Sequence, residues 1–125
     1  MYTLLVVEDN LDNMSLIEDI LEDEGYHVLK AVDAEQGIRL LDYESVNLIL
    51  MDVSLPHMSG LEATQILKKI EKYKSIPIII LTAFAMDSDH KAALSAGCEA
   101  YLTKPINEER LLATIQELLL RYESV

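Results

Sequence analysis

Six polar residues in this sequence stand where short apolar runs end. Glu8 and Asp9 follow residues 4–7, Asp52 follows 48–51, Thr82 follows 78–81, and Thr103-Lys104-Pro105 follows 100–102. A single acid in such a place is most often a helix cap or a turn former. Three carboxylates, one hydroxyl and one ammonium at the ends of four such runs form a pattern. Two carboxylates about 4 Å apart repel by roughly 4 kcal/mol at an effective dielectric near 20, so three together call for a cation or a bound proton. An all-oxygen donor set favours Mg²⁺ or Mn²⁺ over zinc, and a cation held that way also takes a phosphoryl oxygen. Lys104 adds a second positive charge and Thr82 a hydroxyl. Together these are the parts of phosphoryl transfer. No Ser or Cys nucleophile paired with a His is evident, so the nucleophile would be a carboxylate and the product an aspartyl phosphate.

These residues converge only if the runs that carry them are neighbouring strands. The runs 4–7, 48–51 and 78–81 are continuously apolar, the mark of strands covered on both faces in a parallel sheet. Between the runs lie helical periods. Leu11, Met14, Ile17 and Leu21 share one stripe over 11–23, and Ala34, Ile38 and Leu41 another over 34–43. Leu61, Thr64 and Leu67, with Ile66 or Ile70, mark 60–72, and Leu111, Leu112, Ile115, Leu118 and Leu119 mark 107–121. The stretch 86–96 offers only Ala92, Ala93 and Ala96 and is expected to pack lightly. Gly25 and Gly97 stand at expected helix C-caps. Five strand–helix repeats predict a doubly wound α/β sheet with ligands beyond the carboxyl ends of the strands.

Composition narrows the function classes. The 125 residues include 22 acids and 10 bases, a formal charge of −12, and half are hydrophobic. That describes one globular domain able to fold without staples. The single cysteine, Cys98, excludes an intrachain disulfide and a cysteine-based zinc site, and a lone thiol fits a reducing compartment. No run approaches the roughly 18 apolar residues of a membrane helix, and the start lacks the features of a signal peptide, so cytoplasm is the default expectation. The negative charge disfavours nucleic acid. Eight of the acids precede Lys30, the first basic residue; those over 12–24 read as a solvated helix face.

The set Glu8-Asp9, Asp52, Thr82 and Lys104-Pro105 resembles the receiver domain of two-component response regulators. Pro56, Gly60, Gly97 and Tyr101 add smaller marks. The stretches 7–10, 50–56, 82–86 and 101–105 look most like stand-alone receivers of the DivK type and receivers attached to hybrid kinases. The resemblance covers the whole chain, implying one receiver domain over 1–125 and a CheY-like (βα)5 fold with strand order 2-1-3-4-5. It implies Asp52 as phosphoacceptor. Mg²⁺ (or Mn²⁺) would be held by Glu8, Asp9, Asp52 and the Ser54 carbonyl, partly through water. Lys104 would pair with Asp52 and then with the phosphoryl group. Thr82 and Tyr101 would act as switch residues, and the backbone N–H groups of Val53 and Ala83 would meet the phosphoryl group. A cis bond before Pro105 would aim Lys104. The partners implied are a sensor histidine kinase or histidine phosphotransfer protein and an unnamed downstream protein. The latter would meet a surface of the fourth helix, fifth strand and fifth helix. Neither a membrane nor nucleic acid is expected. The domain would catalyse its own phosphorylation and slow dephosphorylation without turning over a substrate.

Ser54 and Phe84 lie two residues after the acceptor and the Thr, where the family admits the hydrolytic water; Phe84 is expected to shield the phosphoryl group. Other classes compete. A flavodoxin-like nucleotide binder needs a Gly- or Ser/Thr-rich first loop, whereas Glu8-Asp9-Asn10 would repel an anion. A phosphatase of the haloacid-dehalogenase type wants an acid at position 54, which is Ser. A receiver-like module that only binds partners would be expected to lose the acceptor, an acid or the lysine. His27, His57 and His90 are scattered and form no expected metal site.

Overall fold

The computed structural model describes residues 1–83 and 87–123. Strands and helices alternate as β1 (Thr3–Val7), α1 (Leu11–Asp23), β2 (His27–Ala31), α2 (Ala34–Leu41), β3 (Leu48–Asp52), α3 (Gly60–Lys69), β4 (Ile78–Thr82), α4 (Asp87–Ser95), β5 (Ala100–Thr103) and α5 (Glu108–Glu123). The strands form one parallel sheet in the order β2-β1-β3-β4-β5, the expected fold class. The three interior strands are the three continuously apolar runs, and β3 and β4 are buried at every residue.

Because successive strand residues point to opposite faces, the runs feed two separate cores. Leu4, Val6, Leu48, Leu50, Ile79 and Leu81 pack against α1 and α5 through Met14, Ile17, Leu111 and Ile115. Leu5, Val7, Ile49, Met51, Ile78 and Ile80 pack against α2, α3 and α4 through Ala34, Leu41, Ala63, Leu67 and Ala93. Each buried leucine or isoleucine contributes about 1.5–3 kcal/mol over an exposed one.

The helix starts are fixed by side-chain caps. Asn10 accepts from the Asn13 N–H at 2.9 Å, Asp33 from Gln36 at 2.8 Å, and Ser59 from Glu62 at 3.2 Å. Gly25 (φ +88°) and Gly97 (φ +99°) end α1 and α4 in the left-handed region, as expected of both.

Several side chains depart from the sequence reading. Leu11 is 70 % exposed, because the Asn10 cap makes it the first residue of α1, turned away from the sheet. Ile66 faces solvent, and Ile70 is half-buried beyond the last turn of α3. Ala92 is exposed, so α4 rests on Ala93, with Ala96 just beyond it. Tyr43 is 85 % exposed, whereas Tyr73 is buried with its hydroxyl donating to Asp42. Leu118 and Leu119 cover the sheet, while Leu120 points outward. Among the described residues no helix is long and apolar enough to cross a membrane.

Candidate functional site

Register brings the strand ends together. Val7 pairs with Met51, Asp52 with Leu81, and Thr82 with Thr103. The residues that follow β1, β3, β4 and β5 therefore emerge along one edge, with Glu8 beside Asp52. Oxygen atoms of Glu8, Asp9 and Asp52 lie within 4.8 Å of one another. Glu8 has no exposed surface, Asp52 is 3 % exposed, and Asp9 faces solvent. The cluster thus joins two buried carboxylates to one exposed one.

One ammonium answers these three charges. The Lys104 Nζ lies 2.9 Å from Glu8 Oε1 and 3.0 Å from Asp52 Oδ1. Burial pulls this ammonium down, but its hydrogen bonds to Glu8 and Asp52 and the charge of both outweigh burial and hold it above the usual lysine range. The other Glu8 oxygen accepts the Asn10 N–H at 3.3 Å. Both Glu8 oxygens are thus engaged by the protein, while Asp9 and Asp52 each bring an oxygen to the cluster. Three carboxylates against one ammonium leave a formal charge of −2 in a largely buried space. An all-oxygen set with that deficit fits a divalent hard cation.

The remaining residues named from the sequence fall as follows. Thr82 is 4 % exposed at the end of β4, and its carbonyl accepts the Lys104 N–H at 2.7 Å. Tyr101 is half-buried on β5 against the core of the α2–α4 side. Ser54 and Ala83 are exposed. The Lys104–Pro105 bond is cis. Phe84 lies outside the described residues. Val53 needs a correction. Its N–H donates to the Leu81 carbonyl at 3.0 Å, so the sheet has taken the donor expected to face a phosphoryl group. His27 and His57 sit on separate elements, and His57 is exposed at φ +69° in the loop after β3.

Two contributors were not assigned a role from the sequence. Asn10 caps α1 and also orients Glu8 through its backbone; the asparagine after the acid pair is the signal that could have shown it. Gly60 opens α3 against Asp52 itself. A Cβ there would lie 2.0 Å from the Asp52 carbonyl oxygen and 2.8 Å from its carbon.

Comparison with known proteins agrees with this geometry. A family model described as the response regulator receiver domain matches residues 4–116. The chain is 41 % identical over 117 residues to the polar-differentiation response regulator DivK of Brucella ovis, covering 94 % of this chain and 95 % of that protein. Its fold is similar to that of a CheY-like receiver domain protein from Methanospirillum hungatei JF-1. There the TM-score is 0.90 and the identity 33 %, over 99 % of this chain and 98 % of the other. It is also similar to the receiver domain of a sensor histidine kinase from Pseudomonas aeruginosa PAO1, at TM-score 0.87 and 36 % identity over 94 % and 97 % of the two chains. That structure is described with a magnesium ion coordinated in its active-site cleft.

Proposed function

The chain belongs to the response regulator receiver domain family, and from that premise we propose that Asp52 is its phosphoacceptor and Mg²⁺ its cofactor. The observation that carries the reading is the charge imbalance. A buried carboxylate at the end of the central strand is held by one lysine beside two further acids. Asp9 and Asp52 would hold the cation directly and Glu8 through water, since both Glu8 oxygens already have protein partners. The Ser54 carbonyl is a further candidate donor. When bound, the cation would supply positive charge opposite the transferring phosphoryl oxygens and offset the repulsion among the acids.

The chain's own residues supply the rest. Lys104 fixes Oδ1 of Asp52, leaving Oδ2 to attack phosphorus. With a phosphohistidine donor, the N–P bond breaks as the Oδ2–P bond forms, and the imidazole nitrogen leaves with its electron pair. Lys104, held charged by its two carboxylates, neutralises a transferring oxygen. The Thr82 hydroxyl, at the neighbouring strand end, donates to another, with the Ala83 N–H beside it. Tyr101, next to the edge on β5, responds to the movement of Thr82. The α4–β5–α5 surface is then the face read by a protein target. The donor is a histidine kinase or phosphotransfer protein in the cytoplasm, and the domain is a switch rather than a turnover enzyme.

Incubation with acetyl phosphate and Mg²⁺ tests this. The expected result is a single phosphoryl adduct by intact mass, lost in Asp52→Asn and in EDTA. Folded protein with no adduct, or an adduct that survives Asp52→Asn, overturns the assignment.

A further inference from the structure

Helix α3 is fixed at both ends, and its far end meets a second buried ion pair. At its start, Gly60 leaves no room against the Asp52 carbonyl, its N–H donates to the Val53 carbonyl at 3.0 Å, and the Thr64 hydroxyl donates to the Gly60 carbonyl at 2.8 Å. About 12 Å away at 1.5 Å per residue, the Lys68 ammonium engages the Lys74 carbonyl at 3.2 Å, the Ile76 carbonyl at 2.9 Å and the Glu99 carboxylate at 2.9 Å. These three contacts use all its donors. The two charged side chains are only 14 % and 16 % exposed.

Glu99 joins more than α3. Its Oε1 accepts the Ile78 N–H at 2.8 Å, and its own N–H returns to the Ile78 carbonyl at 3.0 Å. The starts of β4 and β5 are thereby stapled. Its Oε2 also accepts the Tyr122 hydroxyl, from the last turn of α5, at 3.4 Å. That bond is the longest in the group. Beside it an open cleft of about 280 Å³, lined by Tyr2, Asn47, Leu119 and Tyr122, gives the turn room to move.

We propose that α3, Lys68 and Glu99 form a second path from the phosphoacceptor to the C-terminal turn of α5, with the Tyr122–Glu99 bond as the link that opens. The path rests on the phosphoacceptor reading above and adds a destination at the opposite end of the sheet from Thr82 and Lys104. Packed interiors transmit displacement because they hold few voids, and Gly60 cannot yield to the Asp52 backbone without moving α3. Glu99 keeps its two short bonds when the helix shifts, so the strain falls on the longest one.

The test is hydrogen exchange by mass spectrometry on the full chain under continuous acetyl phosphate and Mg²⁺, with intact mass read in parallel. In the parent, phosphorylation should change exchange in the peptide covering 119–123 by threefold or more. Lys68→Met, Glu99→Gln and Tyr122→Phe should still take the phosphoryl group but lose most of that change. Tyr122→Phe removes only the last link, so it decides the matter if Lys68→Met does not fold. An adduct with no change at 119–123 in the parent, or an equal change in Glu99→Gln and Tyr122→Phe, overturns the path. Absence of any adduct instead refutes the phosphoacceptor reading, so the two failures are distinguishable.

Discussion

Replacing Gly60 by alanine should damage this protein far more than the same change at Gly25 or Gly37, for a reason located at the phosphoacceptor. A Cβ at Gly60 would meet the Asp52 carbonyl oxygen at 2.0 Å, while real Cβ contacts essentially never fall below 3.0 Å, so the gap must open by at least 1.0 Å. Neither side yields easily. Asp52 is paired in β3, the Val53 N–H is bound to Leu81, and the Gly60 N–H is bound to the Val53 carbonyl. Overpacking of this kind costs about 1–3 kcal/mol or more, and loss of the buried Gly60–Val53 bond adds roughly 1 kcal/mol. A net loss of about 2–4 kcal/mol is expected. At roughly 3–5 °C per kcal/mol for a domain of this size, Tm falls by about 6–20 °C.

Gly25→Ala meets nothing within 4 Å but must hold φ +88°, at a cost of about 1–2 kcal/mol. Gly37→Ala meets the end of the Val7 side chain at 2.9 Å and gains helix propensity of up to about 1 kcal/mol, so it should be near neutral. Thermal melts by circular dichroism give the order, and the same melts with Mg²⁺ report on the site. Gly60→Ala should lose part of the Mg²⁺-induced rise because Asp52 has moved. If Gly60→Ala melts within about 3 °C of the parent with its Mg²⁺ response intact, or Gly25→Ala proves the more damaging, the close-approach argument is wrong.

Lys104→Met leaves buried Glu8 and Asp52 without their ammonium and should cost about 3–5 kcal/mol in urea denaturation without metal; equal midpoints for variant and parent would contradict the pairing. Mg²⁺ at 100 times its Kd should stabilise the parent by about 2.7 kcal/mol, and Asp9→Asn should remove most of that gain while slightly raising stability without metal. Burial, reinforced by Glu99, pushes the Cys98 thiol from its ordinary 9.0 up to about 11, so iodoacetamide at pH 8 should label it about 100-fold more slowly than the unfolded chain. The unfolded thiol releases its proton first. The Cys98 contribution to stability is therefore constant below about pH 9 and falls by up to about 3 kcal/mol towards pH 11; comparing urea midpoints of the parent and Cys98→Ala at pH 8 and 10.5 reads it.

The sequence showed what depends on local pattern. The runs in β1, β3 and β4 were legible because a strand covered on both faces has no polar position to confuse its period. The residues ending those strands were legible for the same reason. Three kinds of fact were hidden. Leu11 looked like part of a buried stripe because periodicity does not say which turn the Asn10 cap selects. Val53 looked like a free donor because the position where the β3–β4 ladder stops depends on register. The lysine partners were incomplete: Lys104 was expected to pair with Asp52, and it does, but it also reaches Glu8, 96 positions away, and the Lys68–Glu99 pair spans 31 positions with no motif to mark it.

Those two lysines show why one end of the sheet does chemistry and the other holds the fold. Both are largely buried and both grip a carboxylate at 2.9–3.0 Å. Around Lys68 the charges cancel, one ammonium to one carboxylate, and two backbone carbonyls take its remaining donors. Nothing there needs a further ligand. Around Lys104, among the described residues, both ion-pair partners are carboxylates, and the exposed Asp9 adds a third. Burial makes that imbalance costly, because a buried charge without a partner is far less tolerable than an exposed one. The same imbalance gives the site its affinity for positive charge. A cation with vacant coordination positions would relieve it, and its own remaining charge would receive the phosphoryl oxygens.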